Sequence, residues 1–480
     1  MPKIEVNEKL FFHLLGEERP KSEGAWKEFE DRLVHAKAEL DEKSDESLPP
    51  EERVVKIELN DTNRPDLWST AGLARLLRLH KTGKQRDFRP ILSAPGHPRD
   101  CGNRLVTVDE GLRDIRPYMT AFVISGKAID EPMLLDIIQT QEKLCWNYGR
   151  KRKSISMGVY RSALIKWPVH YRAVDPDATS FVPLQWERPM TCRQILREHP
   201  KGKEYGWIIG DKPKFPLLQD DKGEVLSMAP IINSATLGAV QVGDSDLLVE
   251  MTGTDIASLL LATNIVACDF ADAGYEILSC LVRHPYDTGY GRDICAPVYF
   301  QEPTAMRLSA MNKLLGSSLT EEEARAALLR MGNTVADARK SGGDTKGGSD
   351  AAITLQPPPY RNDFLHEVDA IEDVMLGMTL ERFPPEKPRD FTIGRLTPGT
   401  LLGRKVKQLM AGLGYQEMIF NYLGSRKDFI DNMGIGPAGV IEIANPMSEN
   451  YQYVRPSVIP SLLASEAASG NAVYPHKIFE

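Results

Sequence analysis

The six cysteines, Cys101, Cys145, Cys192, Cys268, Cys280 and Cys295, nowhere form a CxxC pair. That spacing excludes a zinc knuckle and a disulfide framework, and it predicts reduced thiols in a cytoplasmic protein. No uninterrupted apolar run reaches the roughly 18 residues of a membrane span. The opening MPKIEVNEKL lacks the basic and apolar regions of a signal peptide. There is no internal repeat, which excludes a repeat architecture. An excess of positive charge is also missing. Lys and Arg number 59 against 67 Asp and Glu, a net charge of −8. Non-specific coating of nucleic acid is therefore not the main task, although a local basic patch remains open. Neither His170 nor His199 has a Ser or Cys placed as a nucleophile partner, so no covalent dyad is expected and both read as structural or surface residues.

What is present is ordinary globular material, 42% hydrophobic and 26% charged over 480 residues, enough for about three domains. Lys3-Ile4-Glu5-Val6 reads as a strand, 24–40 as a charged helix, 41–53 as an acidic linker and Val54–Leu59 as a half-buried strand. A turn at 60–67 leads into a helix over 70–79 with Leu73, Leu76 and Leu77 on one face. Asp66 and Ser69 read as caps there. A helix over 132–146 runs into Arg150-Lys151-Arg152-Lys153, either a solvated face or a contact for nucleic-acid phosphates. Residues 154–160 read as a strand.

The stretch 227–255 carries the most information. It has an apolar run (Ala229, Pro230, Ile231, Ile232), then Asn233 and Ser234, a turn at Gly243 and Asp244, and the buried-looking strand Leu247-Leu248-Val249-Glu250-Met251. A helix follows from Ile256, with Thr254 or Asp255 as its cap. One reading is strand, turn, strand and capped helix, with the polar residues satisfying turns. The other is a pocket in which Asn233 offers donors and an acceptor beside an apolar floor.

Further on, Thr320 and Glu323 form a capping box for a helix that buries Ala324, Ala327, Leu328 and Met331 and stops at Gly332. The run 340–350 is a tip poor in apolar residues. A helix over 364–377 carries Asp363, Glu367, Asp369, Glu372 and Asp373, with Asp369 and Asp373 on one face and Phe364, Val368, Ile371 and Met375 on the other. Solvent with Arg361 nearby, or a hard cation, would offset those charges. In the last part, 402–413 and 458–469 read as helices, and 416–422 and 441–448 as strands.

Ser227-Met228-Ala229-Pro230-Ile231-Ile232-Asn233 and Glu250-Met251-Thr252-Gly253-Thr254-Asp255 resemble the editing domain of the phenylalanyl-tRNA synthetase beta-subunit family in its archaeal and eukaryotic form. Ala173-Val174-Asp175-Pro176, Phe181-Val182-Pro183-Leu184 and Met190-Thr191 fit the same domain. The resemblance implies a multidomain α+β chain. Its parts would be an N-terminal α/β domain (1–115), an editing domain (116–290), a helix-turn-helix-like domain (300–383) and a partial, inactive class II synthetase-like antiparallel-sheet domain (389–480), incomplete at its C-terminus. It implies an alpha partner in an alpha2beta2 heterotetramer, tRNA(Phe), Mg2+, and ATP bound by alpha. Asp363, Asp369, Glu372 and Asp373 would fall on the family's magnesium positions. Asn233 and Glu250 would recognise the hydroxyl of a mischarged tyrosine, with Ser227 and Thr252 as pocket walls, or Glu250 would orient the attacking water. The alternative is a non-catalytic scaffold that binds tRNA or an amino acid.

Overall fold

Alternating apolar and polar residues make Lys3–Asn7 (β1) a strand whose Ile4 and Val6 face the core of the computed structural model. The helices Glu8–Leu15 (α1) and Glu23–Leu33 (α2) follow, and then Ala38–Glu42 (β2), Val54–Leu59 (β3) and the helix Thr70–Thr82 (α3). The sheet order is β1–β3–β2, antiparallel throughout. This region is therefore α+β rather than the expected α/β. The expected helix over 24–40 ends early because Lys37 takes a left-handed conformation, φ 50°, and the chain turns into β2. The sequence reading does not anticipate α1. Ser69 caps α3, accepting from the Gly72 N–H at 3.0 Å, whereas Asp66 instead accepts two 2.8 Å hydrogen bonds from Arg64. The structure describes residues 3–61, 63–94, 98–335, 351–388, 390, 392–471 and 473–480. They form two units, 1–384 and 385–480.

The centre of the first unit is a ten-stranded sheet. In chain order its surroundings are Leu105–Val108 (β4), Tyr118–Ser125 (β5), the helix Glu131–Lys143 (α4), Ile155–Arg161 (β6) and Val169–Val174 (β7). A small pair, Ser180–Phe181 (β8) with Met190–Thr191 (β9), leads to the helices Cys192–Glu198 (α5) and Pro200–Tyr205 (α6). Then come Phe215–Gln219 (β10), Val225–Met228 (β11), Ile232–Asn233 (β12), Leu247–Gly253 (β13), the helix Ile256–Asp272 (α7), Glu276–Arg283 (β14) and Asp293–Ala296 (β15). The order is β12–β11–β10–β7–β4–β14–β5–β13–β6, with β15 on β14. The sheet thus starts before Arg116 and ends past residue 290, beyond both expected boundaries. It also curls until its ends meet, so that the Arg161 N–H on β6 donates to the carbonyl of Leu237, just after β12.

Every residue of β13 is buried. Leu247, Val249 and Met251 share one core with α7, and Leu248 joins a second core on the opposite face with Tyr160 and Tyr171. The first core runs without a break from Leu14 and Leu73 through Val266 to Tyr360 and Leu376, so the regions expected as separate domains share apolar packing. Arg75 of α3 is buried against Asp269 and Asp272 of α7, and its guanidinium lies 4.2 Å from the Tyr360 ring centroid.

After α4 the helix widens to a π turn over 144–148. Arg150, Lys151 and Arg152 then take φ of 50°, 56° and 67° in succession. A non-glycine residue in this region costs about 1 kcal/mol or more, so the run must be held from outside. The N–H groups of Lys151, Arg152 and Ser154 donate to the carbonyls of Trp146, Cys145 and Gly149. A side chain at Gly149 would collide with the carbonyls of Cys145 and Ile155.

The rest of the first unit contains Thr304–Arg307 (β16), the helices Leu308–Leu315 (α8) and Glu321–Arg330 (α9), Thr334–Val335 (β17), Ala352–Gln356 (β18) and the helix Glu367–Met378 (α10). Where a helix-turn-helix-like unit is expected, the region holds the helices α8 and α9 together with an antiparallel sheet β16–β18–β17. The Thr320–Glu323 capping box forms in both directions, and the helix buries Ala324, Ala327 and Leu328. The expected tip over 340–350 lies outside the described residues. Helix α10 starts at Glu367 rather than Phe364. Val368 is 48% exposed, and the buried face is Ala370, Ile371 and Val374.

The second unit holds Pro398–Gly412 (α11), Gln416–Glu417 (β19), Leu423–Gly424 (β20), Tyr453–Val454 (β21), Ile459–Ala468 (α12) and Ile478–Phe479 (β22). The pair β19·β22 is parallel and β20·β21 antiparallel, so the expected antiparallel sheet is represented by two short pairs. The expected strand over 441–448 is a single bridge from Glu442 to Tyr453. Among the described residues Phe429, Ile430 and Tyr453 form the small core of this unit, and Leu402 and Leu409 on α11, with Leu413 just after it, are exposed.

Arg361 joins α10 to the rest of its region, buried between Asp363 and Asp373. Burial alone would raise the Asp363 carboxyl, but the Arg361 charge prevails and holds it at about 2. This lowered value stabilises the fold above the unfolded pKa of 3.8, and the stabilisation is lost as pH falls through 2. Arg361→Met leaves two buried carboxylates unpaired and should cost about 3–5 kcal/mol at neutral pH. A urea midpoint unchanged from the parent would refute that role.

Candidate functional site

Strand β13 presents Leu248, Glu250 and Thr252 on the face away from α7, by the period of two. Glu250 stands opposite Gly158 on β6 and Ala121 on β5. These small neighbours leave room for its carboxylate. The Tyr160 hydroxyl fills part of that room, 2.8 Å from Glu250 Oε1 and 2.8 Å from Ser227 Oγ on β11. With one proton to give, Tyr160 donates to the carboxylate and accepts from the serine hydroxyl. A side chain at Gly158 would collide with Tyr160 Oη and come within 2.6 Å of Glu250 Oε1.

Glu250 is 2% exposed, and its Oε2 has no hydrogen-bond partner. The Tyr171 hydroxyl is likewise buried without one. Burial pushes the Glu250 carboxyl up to about 7, against the opposing pull of the Tyr160 hydroxyl and the Arg116 charge. Arg116 is 1% exposed. Its Nε donates to Thr252 Oγ1 at 2.9 Å, its Nη2 donates to Thr252 O at 2.6 Å and to Ser156 Oγ at 3.0 Å, and its Nη1 donates to Lys153 O at 2.9 Å. The Thr252 hydroxyl is thus committed to structure.

Asn233 is half-buried on β12, directly opposite Ser227, and its Nδ2 donates to Val159 O at 3.4 Å. Where the sheet's two ends meet, Tyr160 therefore joins Ser227 to Glu250 and Asn233 bonds across to Val159, while Thr252 faces Arg116. Sequence reasoning missed Tyr160, Gly158 and Arg116. The first two sit at alternate positions of a predicted strand, so its period could have flagged them. Arg116 carries no such signal. His199 Nδ1 accepts from the Lys201 N–H, and His170 lies 2.7 Å from Thr107 Oγ1, so both are structural.

The four carboxylates expected to hold magnesium do not converge. Asp363 accepts two hydrogen bonds from Arg361 at 3.0 and 2.6 Å, and Asp373 accepts from Arg361 at 2.5 and 3.1 Å and from Asn333 at 2.6 Å. Asp369 accepts from the N–H groups of Leu365 and His366, both at 2.7 Å, and Glu372 accepts from Lys37 at 2.7 Å. Among the described residues no group of three or more His, Cys, Asp or Glu is arranged to hold a metal ion. Arg361 already engages Asp363 and Asp373, and the other two are engaged elsewhere, so these residues as arranged do not fit magnesium.

Two tests probe the buried cluster. The folded Glu250 value lies above its ordinary 4.5, so the folded state keeps a proton that the unfolded chain has released between pH 4.5 and about 7. Stability should fall as pH rises through that window, by up to about 3 kcal/mol, and level off above it. Glu250→Gln should remove this slope, and identical pH dependence of urea unfolding in parent and variant would contradict it. Gly158→Ala should cost about 1–3 kcal/mol by driving Tyr160 off Glu250. An unshifted urea midpoint would show that the site has slack.

Comparison with known proteins places these features in context. Residues 304–378 match the tRNA synthetase B5 domain, and residues 384–480 match the phenylalanyl tRNA synthetase beta chain CLM domain. The whole chain is 45% identical to the phenylalanine–tRNA ligase beta subunit of Treponema pallidum, covering 82% of it. It is 44% identical to that of Borreliella burgdorferi strain ZS7, again over the whole chain, covering 81% of it. A crystallised N-terminal fragment of the phenylalanyl-tRNA synthetase beta subunit from Pyrococcus horikoshii is 32% identical, with a TM-score of 0.68. That match covers 78% of this chain and 99% of the fragment.

Proposed function

The chain belongs to the phenylalanine–tRNA ligase beta-subunit family, and from that premise we propose that its own chemistry is the hydrolysis of tRNA mischarged with tyrosine. The observation that carries the reading is the unpartnered, buried Oε2 of Glu250, whose other oxygen shares the Tyr160 hydroxyl with Ser227, the residue paired with Asn233. A phenolic hydroxyl supplies the missing donor. Phenylalanine would leave that acceptor bare, and a site built to bond a hydroxyl rejects the analogue lacking it by about 10⁴-fold. An apolar synthetic pocket cannot discriminate as well against a substrate that only adds a hydroxyl, which is why a second site is useful.

In this reading Glu250 and Asn233 recognise the tyrosine hydroxyl, with Ser227 as wall and Tyr160 as the brace that holds the carboxylate. Thr252 fixes the strand through Arg116. Water attacks the ester carbonyl carbon directly. The bond to the ribose oxygen breaks, that oxygen takes a proton, and free tyrosine and tRNA leave. The region of the ten-stranded sheet, 105–296, is the editing region, and 300–383 and 389–480 are the assembly regions. The alpha subunit, in an alpha2beta2 complex with tRNA(Phe), binds ATP and joins phenylalanine to the tRNA. No helix among the described residues is long and apolar enough to cross a membrane, in keeping with work in the cytoplasm.

The test is tyrosyl-tRNA deacylation by the complex with alpha. Glu250→Ala and Asn233→Ala should each slow it about ten- to a hundredfold by removing a hydrogen bond to the substrate. Phenylalanyl-tRNA synthesis should be unchanged. Clearance of tyrosyl-tRNA at the parent rate by both variants would sink the site assignment.

A further inference from the structure

All six cysteines are free thiols, but two of them meet. Cys101 stands half-buried in the turn before β4, and Cys295 is buried on β15. Their sulfur atoms are 2.7 Å apart, although 194 positions separate them in the chain. Both also lie 3.5 Å from the Arg99 carbonyl oxygen, so one acceptor draws the two S–H groups toward the same point. No spacing rule reveals such a pair, because the fold and not the sequence brings it together.

The backbone around the pair is fixed without the thiols. The Arg104 N–H donates to Cys101 O at 2.9 Å, the Gly102 N–H donates to Asp100 Oδ1 at 2.8 Å, and Arg104 Nε donates to Ser279 O at 2.8 Å. Opposite Cys295 on β14 is Leu281, whose N–H donates to Arg104 O at 2.9 Å. Strand β14 pairs with β4 along one edge and with β15 along the other. A bond between the thiols would therefore join the segment entering β4 to β15, with β14 between those two strands. Cys101 and Cys295 also line an open cleft of about 490 Å³, with Asp100, Leu281, Tyr290 and Asp293 on its walls. A small reagent can reach the sulfur atoms from that side.

We infer that Cys101 and Cys295 form a thiol–disulfide modification site, closed by a small disulfide such as oxidised glutathione and reopened by thiols. The more accessible Cys101 reacts first. Its thiolate attacks one sulfur of oxidised glutathione, the sulfur–sulfur bond breaks, and one glutathione thiolate leaves. The Cys295 thiolate then attacks the Cys101 sulfur of the mixed disulfide, and the second glutathione thiolate leaves. The two protons lost by the protein go to the two glutathione thiolates. Two protein thiols are thus oxidised to one disulfide, and one glutathione disulfide is reduced to two thiols. A disulfide bond holds its sulfurs about 2.05 Å apart, so closure asks for a movement of under about 1 Å. Burial, with the hydrogen bond shared with Cys295, pushes the Cys101 thiol well above its ordinary value. Its thiolate is therefore scarce and closure is slow, so the site responds to sustained oxidation more than to a brief pulse.

The test incubates the full chain with oxidised glutathione in the absence of denaturant, quenches with acid, and alkylates the free thiols in urea. Alkylated cysteines should fall from six to four, two thiols having entered one bond, and a digest should yield a peptide pair joined through Cys101 and Cys295. Dithiothreitol should restore all six. Cys295→Ser should stop with one glutathione on Cys101, Cys101→Ser should form no bridge, and Cys280→Ser should close as the parent does. A parent that keeps six alkylated thiols after overnight exposure, or whose bridges join other cysteines, overturns the inference. So does a Cys101–Cys295 bridge that appears only when the oxidant is added in urea, since the folded geometry would then not be what brings the sulfurs together.

Discussion

A strand bonded along both edges and covered on both faces leaves its polar side chains nothing but the interior to bond with. That is the situation of β13, paired with β5 and β6 and buried from Leu247 to Gly253. Burying a charge without a partner is costly, so each polar group on this strand has to be answered from elsewhere in the fold. Thr252 is answered by Arg116, and half of Glu250 by Tyr160. The other half is left open. A carboxylate in that position is held near neutrality by burial, with a free acceptor aimed inward. Its neighbours Gly158 and Ala121 are the two smallest residue types, and a side chain at Gly158 would collide with the Tyr160 hydroxyl and crowd Glu250.

The curl of the sheet converts that strand feature into a site. Ser227 and Asn233 belong to strands at one end of the sheet and Tyr160 to the strand at the other, so the cluster exists only because the ends meet. Two arginines secure the junction from beside it. Arg116 ties Thr252 and Ser156 to the Lys153 carbonyl, and Arg152 ties the left-handed loop to the turn at Pro230 and Ile231. The loop's backbone strain is offset by these bonds, because hydrogen bonds donated by a charged group are about twice as strong as neutral ones.

Much of this was legible where the information is local. The run at 247–251 reads as buried, the helix after Asp255 is announced, and Thr320 with Glu323 forms the capping box it spells. Partners drawn from across the sheet were not legible. Nothing around Tyr160 says that its hydroxyl will meet Ser227, 67 positions away. The carboxylate helix shows the opposite failure, a local pattern overruled by context. On an ideal helix Asp369 and Asp373 share a face, but α10 starts at Glu367. Asp369 therefore falls in the first turn and caps it, while Asp373 lies one turn deeper and meets Arg361. The family resemblance drew attention to these residues, and the geometry shows which partners each one bonds.

The shared apolar core explains why distant parts of the first unit matter to the cluster. Helix α7 covers the β13 face opposite Glu250, so the carboxylate keeps its depth only while α7 keeps its place. α7 is in turn held from the N-terminal region, where Arg75 meets Asp269 and Asp272, and from the region after β18, where Asn264 Nδ2 donates to Pro359 O at 3.1 Å. Buried ion pairs contribute little net stability, but breaking one from a single side costs several kcal/mol, about 3–5. Their effect here is on position more than on total stability, because they fix one helix between two neighbouring regions. A chain that folded its regions independently would let α7 rock on the sheet. One continuous core lets the N-terminal region and the region of α10 brace the strand that carries Glu250.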